Sequence, residues 1–315
     1  MLHGTPRPAV RSSDAGELGH AALGSANENM PAFVNIGRAS SPVQLSGGYL
    51  GASLSATPFQ PGAEPIPHLR PPRGVSGAER ERQMQALYDL NREFRERHAA
   101  SSEIAARARS YELAARMQLA APEAVDFSTE PRHVLDLYGI GAAETDDFGR
   151  QMLLARRLVE RGVRFIQVCH AGGGNGGWDA HGDIRTQGPL CRATDKPIAG
   201  LIRDLKQRGL LDETLIVWTS EFGRTPWSQN TTGRDHNPRG FTSWLAGGGV
   251  RGGVVHGATD PVGYRAVENP HYFSDLHATI LRQLGIDPRN MEMQVQGRTV
   301  RLVEEGYGPI EAMVH

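Results

Sequence analysis

The chain has 315 residues and a formal net charge of −1, which gives no reason to expect a nucleic acid or an anionic membrane surface as a partner. Aromatic residues make up only 6%, which argues against a stacking surface for bases, and two cysteines cannot form a disulfide framework. No apolar run approaches the roughly 20 residues of a membrane span, and residues 1–13 lack the apolar stretch of a signal peptide. The 38 glycines and 20 prolines favour a loop-rich α/β protein.

The first part of the chain divides into an irregular segment and a helical hairpin. Residues 1–75 are rich in Gly, Pro, Ser and Ala and contain one strand candidate, at residues 32–36. Residues 76–125 predict a helical hairpin, with one helix at 78–97 and a second at 102–119. Ser101 or Ser102 is the expected N-cap of the second helix. Because both helices carry many charges, we interpret the hairpin as a solvated outer layer.

Residues 126–315 show alternating helix and strand patterns, which predict an α/β core with a sheet flanked by helices. Ser274 is the expected N-cap of the last helix, and the strand at 214–219 would be buried on both faces if it were central in the sheet. The remaining predicted elements are helices at 148–161 and around 198–205 and strands at 163–168 and 241–246.

Asp179 and His181 form the first candidate metal-binding pair. At spacing i, i+2 in an extended segment, both side chains can face the same side and share a cation. The alternative is that Asp179 caps the next helix and His181 is merely exposed. Glu221 directly follows the predicted strand at 214–219, and ligands of open α/β sheets lie beyond the carboxyl ends of the strands. We therefore expect Asp179 and Glu221 at the same sheet edge.

Two further candidates follow in the chain. Arg224 either forms a local ion pair with Glu221 or binds an anionic substrate through its guanidinium group, and the sequence leaves both open. His236 is presented between glycine and proline as a candidate ligand, with Asp235 as a further ligand or as the group that orients the imidazole. Oxygen and imidazole ligands allow Zn, Mn, Ca or Mg. His170, His256, His271 and His277 are weaker candidates.

Five motifs of the chain resemble those of the DUF1501 family, over roughly residues 24–305. They are Trp178-Asp179-Ala180-His181-Gly182-Asp183, Glu221-Phe222-Gly223-Arg224-Thr225-Pro226, Gly233-Arg234-Asp235-His236-Asn237-Pro238, the glycine-rich run at 245–253, and Asp275-Leu276-His277-Ala278-Thr279-Ile280. The family is placed near the sulfatase and alkaline phosphatase superfamily. The resemblance implies an alkaline phosphatase/sulfatase-like fold and a two-metal site that polarises a phosphate or sulfate ester. Asp179, His181, Glu221 and His236 would be its ligands.

The chain also departs from that superfamily pattern. The usual Asp-x-x-x-His pair appears as Asp179-x-His181, and the Asp-His pair after a central strand appears as Glu221-Phe222. Family members begin with a strand carrying Gly-Gly-x-x-His-x-Asp and often with a twin-arginine export signal, neither of which is found here. The resemblance therefore predicts a chain that lacks its first strand or strands, is catalytically incomplete alone, and derives from an exported, periplasmic protein.

Two functions follow as hypotheses. The first is a metal-dependent hydrolase of phosphate or sulfate esters, which acts on an anionic ester. The second is a non-catalytic, sulfatase-like protein that binds a glycan or a protein partner. Retention of the clustered ligand-type residues favours the first, and the departures at His181 and Phe222 favour the second.

Overall fold

The structure is a computed structural model, and it describes residues 15–37, 54–60, 66, 74–97, 112–113, 116–117, 120–170, 177–220, 222–295, 298–301, 303 and 306–315. The chain divides into two compact units, Met1–Pro131 with Leu153–His170 and Arg132–Met152 with Ala171–His315. Both helices and strands are present, which confirms the mixed α/β class. None of the helices among these residues is long and apolar enough to cross a membrane.

The helices are α1 (Ala15–Leu23), α2 (Gly77–Arg97), α3 (Arg132–Leu137), α4 (Asp146–Glu160), α5 (Gln187–Gln207) and α6 (Phe273–Gln283). The strands are β1 (Phe33–Gly37), β2 (Thr57–Phe59), β3 (Phe165–Cys169), β4 (Ile216–Trp218), β5 (Gly223–Arg224), β6 (His236–Asn237), β7 (Trp244–Ala246), β8 (Ala258–Thr259), β9 (Ala266–Glu268), β10 (Glu292–Val295) and β11 (Arg298–Arg301). Helix α1 and strand β2 lie within the stretch that the sequence predicts to be irregular. Of the predicted second hairpin helix, residues 102–111 lie outside the described residues.

The first unit is built on a three-stranded parallel sheet in the order β2-β1-β3. Strand β1 is central and is buried along its whole length, as a parallel strand covered on both faces should be. Val34 and Ile36 point into an apolar core with Leu154 and Leu158 of α4. On the other face Phe33 meets Phe165 edge to face, with ring centroids 5.2 Å apart. Successive side chains of β1 thus point to opposite faces of the sheet, with Val34 and Ile36 on one face and Phe33 on the other.

A buried charge network supports α4 on this sheet. Arg156, with a side chain 2% exposed, lies 2.7 Å from Glu130 and 2.7 Å from Glu160. Arg157 also bonds Glu130 and donates to the backbone carbonyls of Ala124 and Glu123. One carboxylate, Glu130, therefore compensates two guanidinium groups that have little access to water.

In the second unit α5 packs closely against α3 and the turn that follows it. A methyl group at Gly200 would come within 2.6 Å of the Leu137 carbonyl oxygen, so a glycine permits the two backbones to touch. The hydroxyl of Tyr138 donates to Asp204 over 2.9 Å, which ties the turn to the middle of α5. Gly209, with φ +70°, follows the C-terminal end of α5, a position where glycine commonly ends a helix.

Two sequence expectations about this unit are corrected. Strand β4 is not central in its sheet: it pairs only with β7 among the described residues, antiparallel, and Trp218 is 42% exposed. Helix α6 is not capped by Ser274, because Tyr272 occupies the N-cap position. The Tyr272 backbone N–H donates to the side chain of Asp275 over 2.9 Å, so a carboxylate inside the first turn provides the cap.

Candidate metal centre

The site is assembled from two chain segments of the second unit that pair backbone to backbone. Arg234 N–H donates to the Ala180 carbonyl over 3.0 Å, and Ile184 N–H donates to the Thr232 carbonyl over 3.1 Å. Between these bonds lies Gly233, where an added Cβ would stand 1.7 Å from the carbonyl oxygen of His181. The absence of a side chain at Gly233 therefore allows the two segments to meet.

A short hairpin presents the other side chains of the site. Strands β5 and β6 pair antiparallel, with Arg224 opposite His236. Thr225 N–H donates to the Asp235 carbonyl, and Gln229 N–H donates to the Gly233 carbonyl. Directly opposed residues of an antiparallel pair lie on one face of the ladder. The register thus places Arg224 and His236 side by side.

Three potential ligand atoms form a nearly equilateral triangle at this place. Asp179 Oδ1 lies 3.0 Å from His181 Nε2 and 2.9 Å from His236 Nε2, and the two Nε2 atoms are 3.0 Å apart. Ligands at about 2.0–2.1 Å from a tetrahedral zinc ion are separated by about 3.3 Å. Small outward movements of the three side chains would therefore accommodate a cation, and the residues present fit a divalent metal.

Gln229 contacts the Nδ1 atom of the His181 ring. Its side-chain Oε1 is 2.6 Å from His181 Nδ1, so Nδ1–H donates to the amide oxygen. In the neutral ring the lone pair then lies on Nε2, which faces Asp179 Oδ1, another acceptor. Two acceptors at 3.0 Å repel each other unless a proton or a cation lies between them. A hydrogen bond to the far ring nitrogen is also the usual way in which a metal-binding histidine is oriented.

Arg224 contacts the same carboxylate oxygen. Its Nη2 lies 2.6 Å from Asp179 Oδ1 and 3.5 Å from the Trp178 carbonyl oxygen. Its Nη1 is buried and has no hydrogen-bond partner among the residues that the structure describes. Within the described part of the chain, the guanidinium group therefore has one donor, Nη1–H, that is not used.

The charges of the site keep Asp179 anionic. Hydrogen bonding from His236, and then from Arg224, lowers the pKa of Asp179 below its ordinary value although partial burial opposes this. An ionised carboxylate is the form that binds a cation. The three side chains are also accessible, with 54% of Asp179, 38% of His181 and 43% of His236 exposed.

The open geometry of the cluster would suit a catalytic metal site better than a structural one. Structural zinc sites are closed by four protein ligands, whereas catalytic sites use three protein ligands and leave a position for water or substrate. The cluster offers three candidate ligands, Asp179, His181 and His236, whose ligand atoms lie within 4.8 Å of one another. Phe222 packs on the ring of His236 with centroids 4.4 Å apart. It forms an apolar wall and supplies no ligand.

The structure brings some of the predicted site residues together and not others. It brings Asp179, His181, His236 and Arg224 together. Glu221 lies outside the described residues. The carboxylate of Asp235 accepts from the backbone N–H of its neighbour His236 over 2.7 Å, so it fixes the backbone of β6 and is not part of the triangle. Arg224 pairs with Asp179, which the sequence did not predict. Gln229 was missed, because no local pattern marks a hairpin glutamine as the partner of a distant histidine.

The fold and cluster define a mixed α/β protein with a candidate metal centre on loops of its second unit. The family model "Protein of unknown function (DUF1501)" matches residues 2–314. The chain therefore belongs to the DUF1501 family. Searches of curated proteins and of solved structures each found no match.

We expect Gly233→Ala to abolish metal binding at the cluster. The new Cβ would overlap the His181 carbonyl oxygen at 1.7 Å, so the two segments must separate and the ligand triangle opens. A Zn²⁺ titration of the purified variant measures this. Gly182→Ala is the matched control, since an added Cβ there meets nothing within 4 Å. Unchanged zinc affinity in Gly233→Ala would contradict the pairing as the cause of the site.

Proposed function

We propose that this protein is a metal-dependent hydrolase of phosphate or sulfate esters. The observation that supports the proposal most is the three-ligand triangle of Asp179, His181 and His236 with an arginine donor at its edge. Two imidazoles and one carboxylate favour Zn²⁺ or Mn²⁺ over Ca²⁺ or Mg²⁺, which prefer oxygen ligands. A bound divalent ion would supply Lewis acidity and an activated water for ester cleavage.

The side chains of the chain would divide the remaining work. Asp179, His181 and His236 would hold the metal, and Gln229 would keep the His181 ring in the tautomer that offers Nε2. Arg224 would have two roles. Its Nη2 would orient Asp179, and its Nη1–H, which has no partner among the residues that the structure covers, would offer a charge-assisted hydrogen bond to an anionic ester oxygen. The ring of Phe222 would exclude water on the side of His236.

The presence of Arg224 selects between ester classes. A guanidinium group favours a substrate that carries negative charge on the transferred group, because charge builds up on those oxygens during hydrolysis. Phosphate and sulfate monoesters meet this condition, whereas a neutral carboxylic ester does not. The predicted preference is therefore for an anionic transferred group, phosphoryl or sulfuryl, independent of the alcohol that leaves.

A panel of nitrophenyl esters tests the function. The resemblance predicts a chain that is incomplete alone, but the three candidate ligands and Arg224 all lie within it. We therefore expect the purified chain, loaded in turn with Zn²⁺, Mn²⁺, Mg²⁺ or Ca²⁺, to hydrolyse the phosphate or the sulfate and to lose this activity in a chelator. Equal rates on the neutral acetate ester would overturn the assignment. Stoichiometric metal without hydrolysis of any ester, together with retention of a sulfated or phosphorylated glycan, would instead establish the non-catalytic binding protein.

Arg224→Lys should lower kcat/KM for the anionic ester on the order of 100-fold, because one preorganised donor to the developing charge is lost. Zinc content should change little, since a lysine ammonium can still face Asp179. Steady-state kinetics at saturating metal measure the effect. Arg192→Lys, on an exposed ion pair with Glu144 of the same unit, is the matched control and should retain wild-type kinetics. Equal loss of metal and activity in Arg224→Lys would assign Arg224 to metal binding alone.

A further inference from the structure

A second pair of histidines lies in the same unit, separate from the triangle in its residues. His256 Nε2 and His271 Nε2 are 2.9 Å apart, and their ring centroids are 5.1 Å apart. The pair is partly open to solvent, with 34% of the His271 side chain exposed. Two ring nitrogens thus point at one another from different parts of the chain.

The short hairpin of β8 and β9 places the two histidines. His256 precedes β8 and His271 follows β9, and the pairing of Ala258 with Glu268 makes the flanking residues neighbours. Gly257 has φ +82° and Asn269 has φ +42°, so both flanks turn sharply next to the hairpin. The approach of the two rings therefore follows from the backbone and is not a chance meeting of surface side chains.

Asp275 orients His271. Its Oδ2 lies 3.4 Å from His271 Nδ1, at the long end of hydrogen-bond distance. The carboxylate is itself held, since Oδ2 accepts from the Tyr272 N–H and Oδ1 accepts from the Gly308 N–H over 3.0 Å. With Nδ1–H directed to a fixed carboxylate, the lone pair of the neutral ring lies on Nε2. Carboxylate–imidazole pairs of this kind are typical of metal-binding histidines.

We propose that His256 and His271 form a second metal site, which binds a borderline transition-metal ion such as Zn²⁺, Ni²⁺ or Cu²⁺ through their two Nε2 atoms. Imidazole suits these ions, and no carboxylate oxygen joins the two nitrogens in the described part of the chain, so Ca²⁺ and Mg²⁺ are disfavoured. Asp275 is the positioning residue. With two protein ligands, the site is weaker than the triangle of Asp179, His181 and His236. It does not depend on the proposed hydrolase function.

A zinc titration against a chromogenic chelator tests the second site in the intact chain. The wild-type protein should bind two ions with different affinities. His256→Ala and His271→Ala should each weaken the second ion at least about tenfold and retain the first. Asp179→Ala should lose the first and retain the second. His133→Ala, which removes an exposed imidazole on α3, should bind both ions. The second site would be overturned if the wild-type protein bound only one ion and both His256→Ala and His271→Ala still bound it. The contact between the two rings would then be only an N–H···N hydrogen bond.

A second measurement needs no variant. In protein with ¹⁵N-labelled histidine, saturating Zn²⁺ should shift the Nε2 resonances of both His256 and His271. Unshifted resonances for this pair, with those of His181 and His236 shifted, would overturn the second site and leave the first intact. The reverse pattern would overturn the triangle and leave the second site.

Discussion

Replacement of Asp179 by alanine is expected to lower the zinc affinity of the triangle at least about 100-fold. Asp179 Oδ1 is the atom on which His181, His236 and Arg224 converge, at 2.6–3.0 Å. Without it, two imidazoles remain as ligands and the Arg224 cation faces the incoming metal without a carboxylate between them. Loss of a group that merely orients a ligand already weakens binding 10–100-fold, so removal of the ligand itself should exceed that range.

Two measurements check this expectation. Competition with a chromogenic chelator gives the affinity directly. Thermal unfolding gives an independent measure, because zinc at about 100 times its Kd stabilises the folded chain by about 2.7 kcal/mol. Wild-type protein should gain this stability from the triangle. Asp195→Ala, which removes an exposed carboxylate on α5, is the matched control and should respond as the wild type does. Unaltered affinity in Asp179→Ala, or an equal loss in Asp195→Ala, would falsify the triangle as a metal site.

Replacement of Glu130 by alanine is expected to destabilise the fold by about 3–5 kcal/mol. Glu130 is 5% exposed and bonds both Arg156 and Arg157, whose side chains are 2% and 8% exposed. Its removal leaves two buried guanidinium groups with less compensation, although Glu160 still pairs with Arg156. Chemical denaturation measures the loss. Glu144→Ala breaks an exposed pair with Arg192 and should change stability by less than about 1 kcal/mol.

The same carboxylate gives a pH dependence with a defined sign. Burial acts to raise the pKa of Glu130, but hydrogen bonds from Arg157 and Arg156 outweigh it, so the pKa lies below its ordinary value of 4.5. A carboxyl group with a lowered folded-state pKa stabilises the fold above 4.5, and this contribution is lost as the pH falls through the folded-state value. Chemical denaturation at neutral pH and in acid gives the free energy of unfolding at each pH. This free energy should fall less on acidification in Glu130→Gln than in the wild type. Equal declines would contradict this role of Glu130.

The local part of the fold was predictable from sequence. Strand β1 and helix α4 lie close to where the hydrophobic patterns predict them, because such patterns reflect which residues of one short segment face the core. For α5 the pattern marked only the C-terminal part of the helix. The DUF1501 motifs identified the family. They also drew attention to Asp179, His181 and His236, because these residues stand beside glycines and prolines in short motifs that can be recognised from the sequence alone.

The partners of those residues were decided by the tertiary structure. The structure pairs Arg224 with Asp179, which comes from another loop. Gln229 contacts His181 because Gly233 lets two backbones meet. Asp235 stands next to His236, but its side chain bonds the backbone of that residue. Residue types and spacing specify which groups a segment offers. Which groups meet depends on strand register and backbone approach between distant segments, which a local pattern does not encode.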